Sequence, residues 1–319
     1  MDQVKTDLPE KPAGIISLQK RFRFSEFLIE KFILLNSAVA ILGVVIIFIF
    51  IFKEALPILT NPETQKEASL QHFITQKVWQ PVSDIPKYGF APIIVGTLKV
   101  VLIAILFAVP ISIGAAIYTT EFAPRRIREF LKPVVEILAG IPSVVLGFFA
   151  LMVMATFLQE IFHYSMRLNA FNAGLAVSFA LIPTIYSISE DALNAVPRSL
   201  KEASLALGAS RWQTAVRVVL SVAFPGVIAG VMLGVARAIG ETMIVLMASG
   251  NAALLSVNIF ESVRTMSATI AAELAEVVFG SPHYNTLFFI GSILFLSTFV
   301  FNLLAHLSVT RLQKKIAGE

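Results

Sequence analysis

Pro225-Gly-Val-Ile-Ala-Gly-Val-Met-Leu-Gly-Val-Ala-Arg-Ala-Ile-Gly-Glu241 decides how this chain is read. The stretch is apolar enough to be membrane helix, yet it carries an arginine and a glutamate in its middle. A charge at bilayer depth costs roughly 2.5–3.5 kcal/mol on insertion scales, so it marks a pathway or a partner. Gly226, Gly230 and Gly234 recur every fourth residue, the small-residue spacing along which membrane helices approach closely. Seven residues turn a helix by about 700°, so Arg237 and Glu241 are expected on nearly the same face as Gly230 and Gly234. That face meets protein rather than lipid. Two roles fit the pair: an i,i+4 ion pair that neutralises itself inside a bundle, or an arginine serving a pathway for an anion with the glutamate tempering it. A guanidinium fork suits phosphate-like oxyanions better than an ammonium does.

Working outward, the whole composition agrees with a membrane setting. Of 319 residues, 56% are hydrophobic and 14% charged, against about a quarter charged in soluble domains. Six stretches are long enough to cross the roughly 30 Å hydrocarbon core: 32–52, 92–118, 134–158, 171–189, 226–249 and 285–307. The expected fold class is therefore an all-α polytopic membrane protein with six transmembrane helices. Of the 25 Lys and Arg residues, 17 fall in one alternating set of flanking segments and six in the other. The positive-inside rule then places both termini in the cytosol. A tail over 1–31, an extracytoplasmic loop over 53–91, a permease-like core over 92–307 and a cytosolic C-terminus over 308–319 follow. The first span is expected to be a retained helix rather than a cleaved signal, being too long for a signal core.

Four prolines punctuate 53–91, which reads as loop with one short helix. The outer segment 250–284 is semi-apolar at helical spacing and reads as a pair of short interfacial or re-entrant helices. Pro225-Gly226 is the expected break in the long apolar run that follows Arg211. On the inner side, Pro197 opens a short helix and Gly208 can close it in a left-handed cap, giving a loop helix over about 197–211.

Several chemistries are excluded. The chain has no cysteine, so disulfides and thiolate sites are absent. It has no phosphate-binding Gly-x-x-x-x-Gly-Lys-Ser/Thr loop, its four histidines lack metal-ligand spacing, and no nucleophile elbow occurs. No enzyme activity, cofactor or nucleic-acid partner is expected.

Glu202-Ala203-Ser204, then Gly208, then Val218-x-Leu220 resembles the EAA loop of ABC importer permeases. Ser204 stands where that family has its second alanine, and Ser221 where it has a proline. Ala108–Tyr118, Glu121-Phe-Ala-Pro124, Glu136–Val145, Ala236–Met243 and Gly250-Asn251 look like phosphate-type permeases. Val263–Glu276 with Gly280–Asn285 is similar to the C-type permeases of phosphate-specific (Pst) systems. The resemblance spans about 90–310. It implies a type I ABC importer permease of the bacterial inner membrane that moves inorganic phosphate by alternating access. It also implies an A-type permease partner, two ATP-binding subunits docked on the EAA loops, which in this chain means Glu202, Ala203, Ser204 and Gly208, and an extracytoplasmic phosphate-binding protein. Arg237 and Glu241 match the family's phosphate-transport pair. A permease for sulfate or molybdate is the alternative within the class. A stand-alone channel or secondary carrier is the alternative outside it, though no internal repeat supports a carrier.

Overall fold

The structure is a computed structural model describing residues 24–317; the expected tail falls mostly outside them. Packing divides the chain into two units, 1–49 and 50–319. The first, as far as it is described, is helix α1 (Phe24–Ala55) up to Ile49. Between Lys31 and Lys53 that helix carries no charge. Its polar Asn36 and Ser37 turn back onto their own backbone, donating to the Phe32 and Ile33 carbonyls at 2.8 and 2.9 Å. Polar side chains at bilayer depth are satisfied in this way without water.

Six helices among the described residues are long and apolar enough to cross a membrane. After α1 come α2 (Ala91–Ile117, prolonged by a π-turn at Tyr118–Phe122), α4 (Ser143–Phe162), α5 (Ala170–Asn194), α7 (Arg211–Gly240) and α10 (Pro282–Ala317). Shorter helices lie between them: α3 (Arg125–Gly140), α6 (Arg198–Ala206), α8 (Met243–Ala248) and α9 (Met266–Glu273). Helix α5 is the hub, packed along its length against α2 and α7. Val100, Ile103, Val177, Leu181 and Ile185 are buried between these helices.

Four expectations need correction. The span expected at 134–158 is two helices, because Ile141 leaves the helical region (ψ 123°) ahead of Pro142. Proline disfavours helical geometry in the residue before it. The first piece, α3, is amphipathic with no buried residue, and the membrane-length piece is α4. The break expected at Pro225-Gly226 is absent: α7 runs through Pro225 and ends at Gly240, so Arg237 stands in its last turn and Glu241 beyond it. The segment 53–91 holds three short helices, Pro57–Thr60, Pro62–Glu67 and Leu70–Thr75, and a hairpin of β1 (Trp79–Gln80) and β2 (Lys87–Tyr88). Pro57 and Pro62 start helices rather than prevent them, since the first helical turn needs no proline N–H, while Pro81 and Pro86 lie in the connection of the hairpin. Asn61 and Ser69 cap the next two, accepting from Glu63 and His72 amides.

In 250–284 only the second of the two expected helices forms, as α9. Asn258 and Ser256 side chains accept from nearby amides, those of Phe260 and Asn258, and hold 251–265 in turns that compete with a helix. The described part of 308–319 continues α10 to Ala317.

Candidate functional site

The glycine spacing sets the site in the membrane. A Cβ added at Gly226 would come within 2.5 Å of Ala192, at Gly230 within 3.2 Å of Ile188, and at Gly234 within 2.8 Å of Ile185. Successive turns of α7 therefore meet successive turns of α5 running the opposite way. Where this zipper ends, Arg237 emerges beside Thr184, and its Nη1 donates to the Thr184 Oγ1 at 2.9 Å. Arg237 is exposed and Thr184 half-buried.

Glu241 is not Arg237's partner. It leaves the helix with ψ 124°, and no ion pair joins the two side chains among the described residues. The self-neutralising i,i+4 pair is thus not made, because the helix that would align it stops at Gly240. Two hydroxyls satisfy the broken backbone. Ser267 Oγ donates to the Glu241 carbonyl at 2.9 Å and Thr242 Oγ1 to that of Gly240 at 3.0 Å. The result is an exposed guanidinium at the end of a long apolar helix, with no carboxylate paired to it among the described residues. Such a group attracts oxyanions and holds them through paired N–H donors.

The second candidate site is the loop helix α6. Gly208 has φ +83°, its amide donates to the Leu205 carbonyl, and the Ala209 amide donates to that of Ser204. That is the Schellman closure, and it requires a residue tolerant of left-handed backbone. Ser210 and Gln213 then form a reciprocal capping box that starts α7. Ser204 Oγ lies 3.0 Å from Thr214 Oγ1, which links the two helices. Glu202 and Ala203 are exposed. So are Leu200, Leu205, Trp212 and especially Leu207, which is 89% exposed.

Sequence reasoning gave no role to the residues that hold this loop. Lys201 Nζ lies 2.6 Å from the Glu121 carboxylate, with both side chains mostly buried. Arg128 of α3 donates to the Thr119 and Thr120 carbonyls at the same end of the bundle. Only the quoted Glu121-Phe-Ala-Pro124 motif hinted that Glu121 mattered. Thr184 gave no signal in one sequence, because its meeting with Arg237 depends on how two helices are paired.

At the opposite end, Glu273 gathers three segments. Trp79 Nε1 donates to both its oxygens at 3.1 and 3.2 Å, Arg264 Nη1 pairs with Oε1, and His283 Nε2 lies 3.2 Å from Oε2. Arg264 Nε also donates to the Asn251 carbonyl. Nearby, burial and then the Glu67 and Glu273 charges push the Tyr88 phenol up to about 12. No group of three or more metal-binding side chains occurs among the described residues.

Comparisons with known proteins come down on one class. A family model described as "Binding-protein-dependent transport system inner membrane component" matches residues 108–318. The probable ABC transporter permease protein YqgH of Bacillus subtilis is 41% identical over 233 residues, covering 73% of this chain and 75% of its own length. The phosphate transport system permease protein PstC of Mesorhizobium japonicum is 37% identical over 262 residues, covering 76% and 79%. That of Xylella fastidiosa is 32% identical over 302 residues, covering 89% and 90%. Among solved structures, a bacterial alginate ABC transporter in complex with a periplasmic protein matches with TM-score 0.59 at 18% identity, over 89% of this chain and 96% of that one. The MetNI methionine ABC transporter in an inward-facing form matches with TM-score 0.52 at 18% identity, over 70% and 94%. At such identity these two speak for the fold alone.

Proposed function

This chain belongs to the inner membrane components of binding-protein-dependent transport systems, and from that premise we propose that its cargo is inorganic phosphate. It is a permease subunit of an ABC importer, a multi-pass inner-membrane protein and a transport component rather than a catalyst. The observation that carries the proposal is Arg237: a guanidinium at the end of a membrane helix, exposed, aimed by a neutral hydroxyl and, among the described residues, paired with no carboxylate. An oxyanion crossing at that level would meet a full positive charge and open N–H donors. The phosphate permeases among the relatives favour phosphate over sulfate or molybdate.

In this reading Arg237 serves the pathway, and Glu241, just past the helix end and not paired with it, limits how tightly the anion is held. The chain pairs with a second, A-type permease, and a phosphate-binding protein delivers cargo on the extracytoplasmic side. ATP is hydrolysed by two separate subunits, one of them seated on α6, where Glu202, Ala203, Ser204 and Gly208 form the contact, and the other on the matching loop of the second permease. The exposed apolar side chains around Leu207 are the kind of patch that a protein partner covers. Both termini then lie in the cytosol.

The test is reconstitution. The chain, co-expressed with its second permease and ATP-binding subunits, is placed in liposomes with the phosphate-binding protein outside and ATP inside. Radiolabelled phosphate should accumulate only with all components and ATP present, and unlabelled sulfate or molybdate should not compete. Competition by sulfate would reassign the cargo, and uptake without the ATP-binding subunits would point to a channel or carrier.

A further inference from the structure

Helical threonines in this chain mostly bond to their own backbone. Thr97, Thr119, Thr120, Thr269, Thr286 and Thr298 each donate to a carbonyl one turn back. Thr184, in the middle of α5 and directly after Pro183, does not: its Oγ1 accepts from Arg237 Nη1 at 2.9 Å, as the exposed Thr156 of α4 accepts from Arg167 Nη1 at 3.2 Å. A hydroxyl has one proton to give and lone pairs to receive. Accepting from Arg237 therefore leaves the Thr184 proton undirected by that bond, beside the remaining N–H groups of the guanidinium.

The choice of a hydroxyl has an electrostatic consequence. A carboxylate in this place would fix the arginine but cancel its charge and compete with any arriving anion. A neutral acceptor fixes the fork and leaves the charge whole. The register of α7 on α5 makes the meeting obligatory, since Gly234 is already seated on Ile185, the residue next to Thr184.

We propose that Thr184 is the positioning residue for Arg237 and, through its free hydroxyl proton, a second hydrogen-bond contact for a tetrahedral oxyanion in the pathway. This rests on the pathway role of Arg237 given above. Thr184 supplies aim and one donor, and Arg237 supplies charge and the rest.

The experiment uses the complete importer in liposomes, with radiolabelled phosphate as the probe and the binding protein titrated. Thr184→Val keeps shape and removes the hydroxyl; Thr184→Ser keeps the hydroxyl and removes a methyl. Maximal uptake should fall about tenfold in Thr184→Val, the size expected for losing a hydrogen bond to a charged group. The binding-protein concentration giving half-maximal uptake should not change, and complex yield should match wild type. Thr184→Ser should stay within about twofold of wild type. Thr184→Val combined with Arg237→Gln should be no worse than Arg237→Gln alone, because the two act as a unit.

Full uptake by Thr184→Val beside an inactive Arg237→Gln would overturn this proposal and leave the pathway reading standing. Full uptake by Arg237→Gln would remove the pathway reading itself. If Thr184→Ser is as poor as Thr184→Val, or if uptake falls only in step with complex yield, Thr184 is packing and the proposal is wrong.

Discussion

At the scale of single residues, Gly208 and Arg237 show two ways in which one position is constrained. Gly208 is held by backbone conformation, since φ +83° is costly to side chains with a Cβ, by roughly 1–2 kcal/mol. Yet a Cβ there would meet no atom of this chain within 4 Å. Gly208→Asn, which tolerates the left-handed region, should therefore leave the chain folded and inserted at wild-type yield. If α6 seats an ATP-binding subunit closely, that same variant should lose the subunit during purification; retention at full stoichiometry would show open space at 208 in the complex as well. Arg237 is held by its surroundings instead. A glutamine there removes the positive charge, so Arg237→Gln should cut phosphate uptake by about tenfold or more while the complex still assembles. With no ion pair between Arg237 and Glu241, the double Gln variant should not recover uptake. Recovery in the double variant would restore the self-neutralising pair that the helix end argues against.

At the scale of elements, the apolar runs were legible in the sequence and their ends were not. Hydrophobic length locates a membrane helix well, because lipid forces every backbone group to bond within the segment. Where the helix stops depends on what takes up the released carbonyls. At Glu241 that is Ser267, 26 residues away, and nothing local to Gly240-Glu241 announces it. Pro225, the strongest local breaker, is instead absorbed in a helix packed against α5. The loop helix was readable from Pro197 and Gly208, but its support was not. Lys201 and Glu121 lie 80 positions apart and meet only once α2 and α6 share an end of the bundle. Their pair is mostly buried, so removing one charge strands the other. Lys201→Met should lower the thermal midpoint of the purified complex, with a loss on the order of 1–3 kcal/mol, and raise the ATP hydrolysed per phosphate moved. An unchanged midpoint together with unchanged stoichiometry would mean that α6 is held by α7 through the Ser204–Thr214 contact and not by α2.

At the scale of the whole core, the two ends of the bundle are held by different physics. The end bearing α6 relies on the Lys201–Glu121 ion pair, caps and carbonyl bonds under exposed apolar side chains, a surface suited to transmitting a partner's motion. The opposite end is a packed lid, with Trp79, Tyr88 and Phe90 buried against Leu287 and Ile290 and Glu273 joining the hairpin to 250–273 and to α10. Tyr88 makes that lid testable by pH. The residue is only 1% exposed, and burial, reinforced by Glu67 and Glu273, raises its phenol to about 12 from an ordinary 10. The fold thus favours the neutral phenol. Below pH 10 both folded and open forms hold the proton and pH does not matter. Between about 10 and about 12 the open form releases it while the folded form keeps it, so stability falls as pH rises through that window. In a Trp212→Phe background, leaving Trp79 as the reporter, its fluorescence should shift toward that of a water-exposed indole in this range. Tyr88→Phe, which cannot ionise, should move the shift to higher pH. If both proteins open at the same pH, the lid is released by another group, and burial of Tyr88 does not limit the alkaline stability of this end.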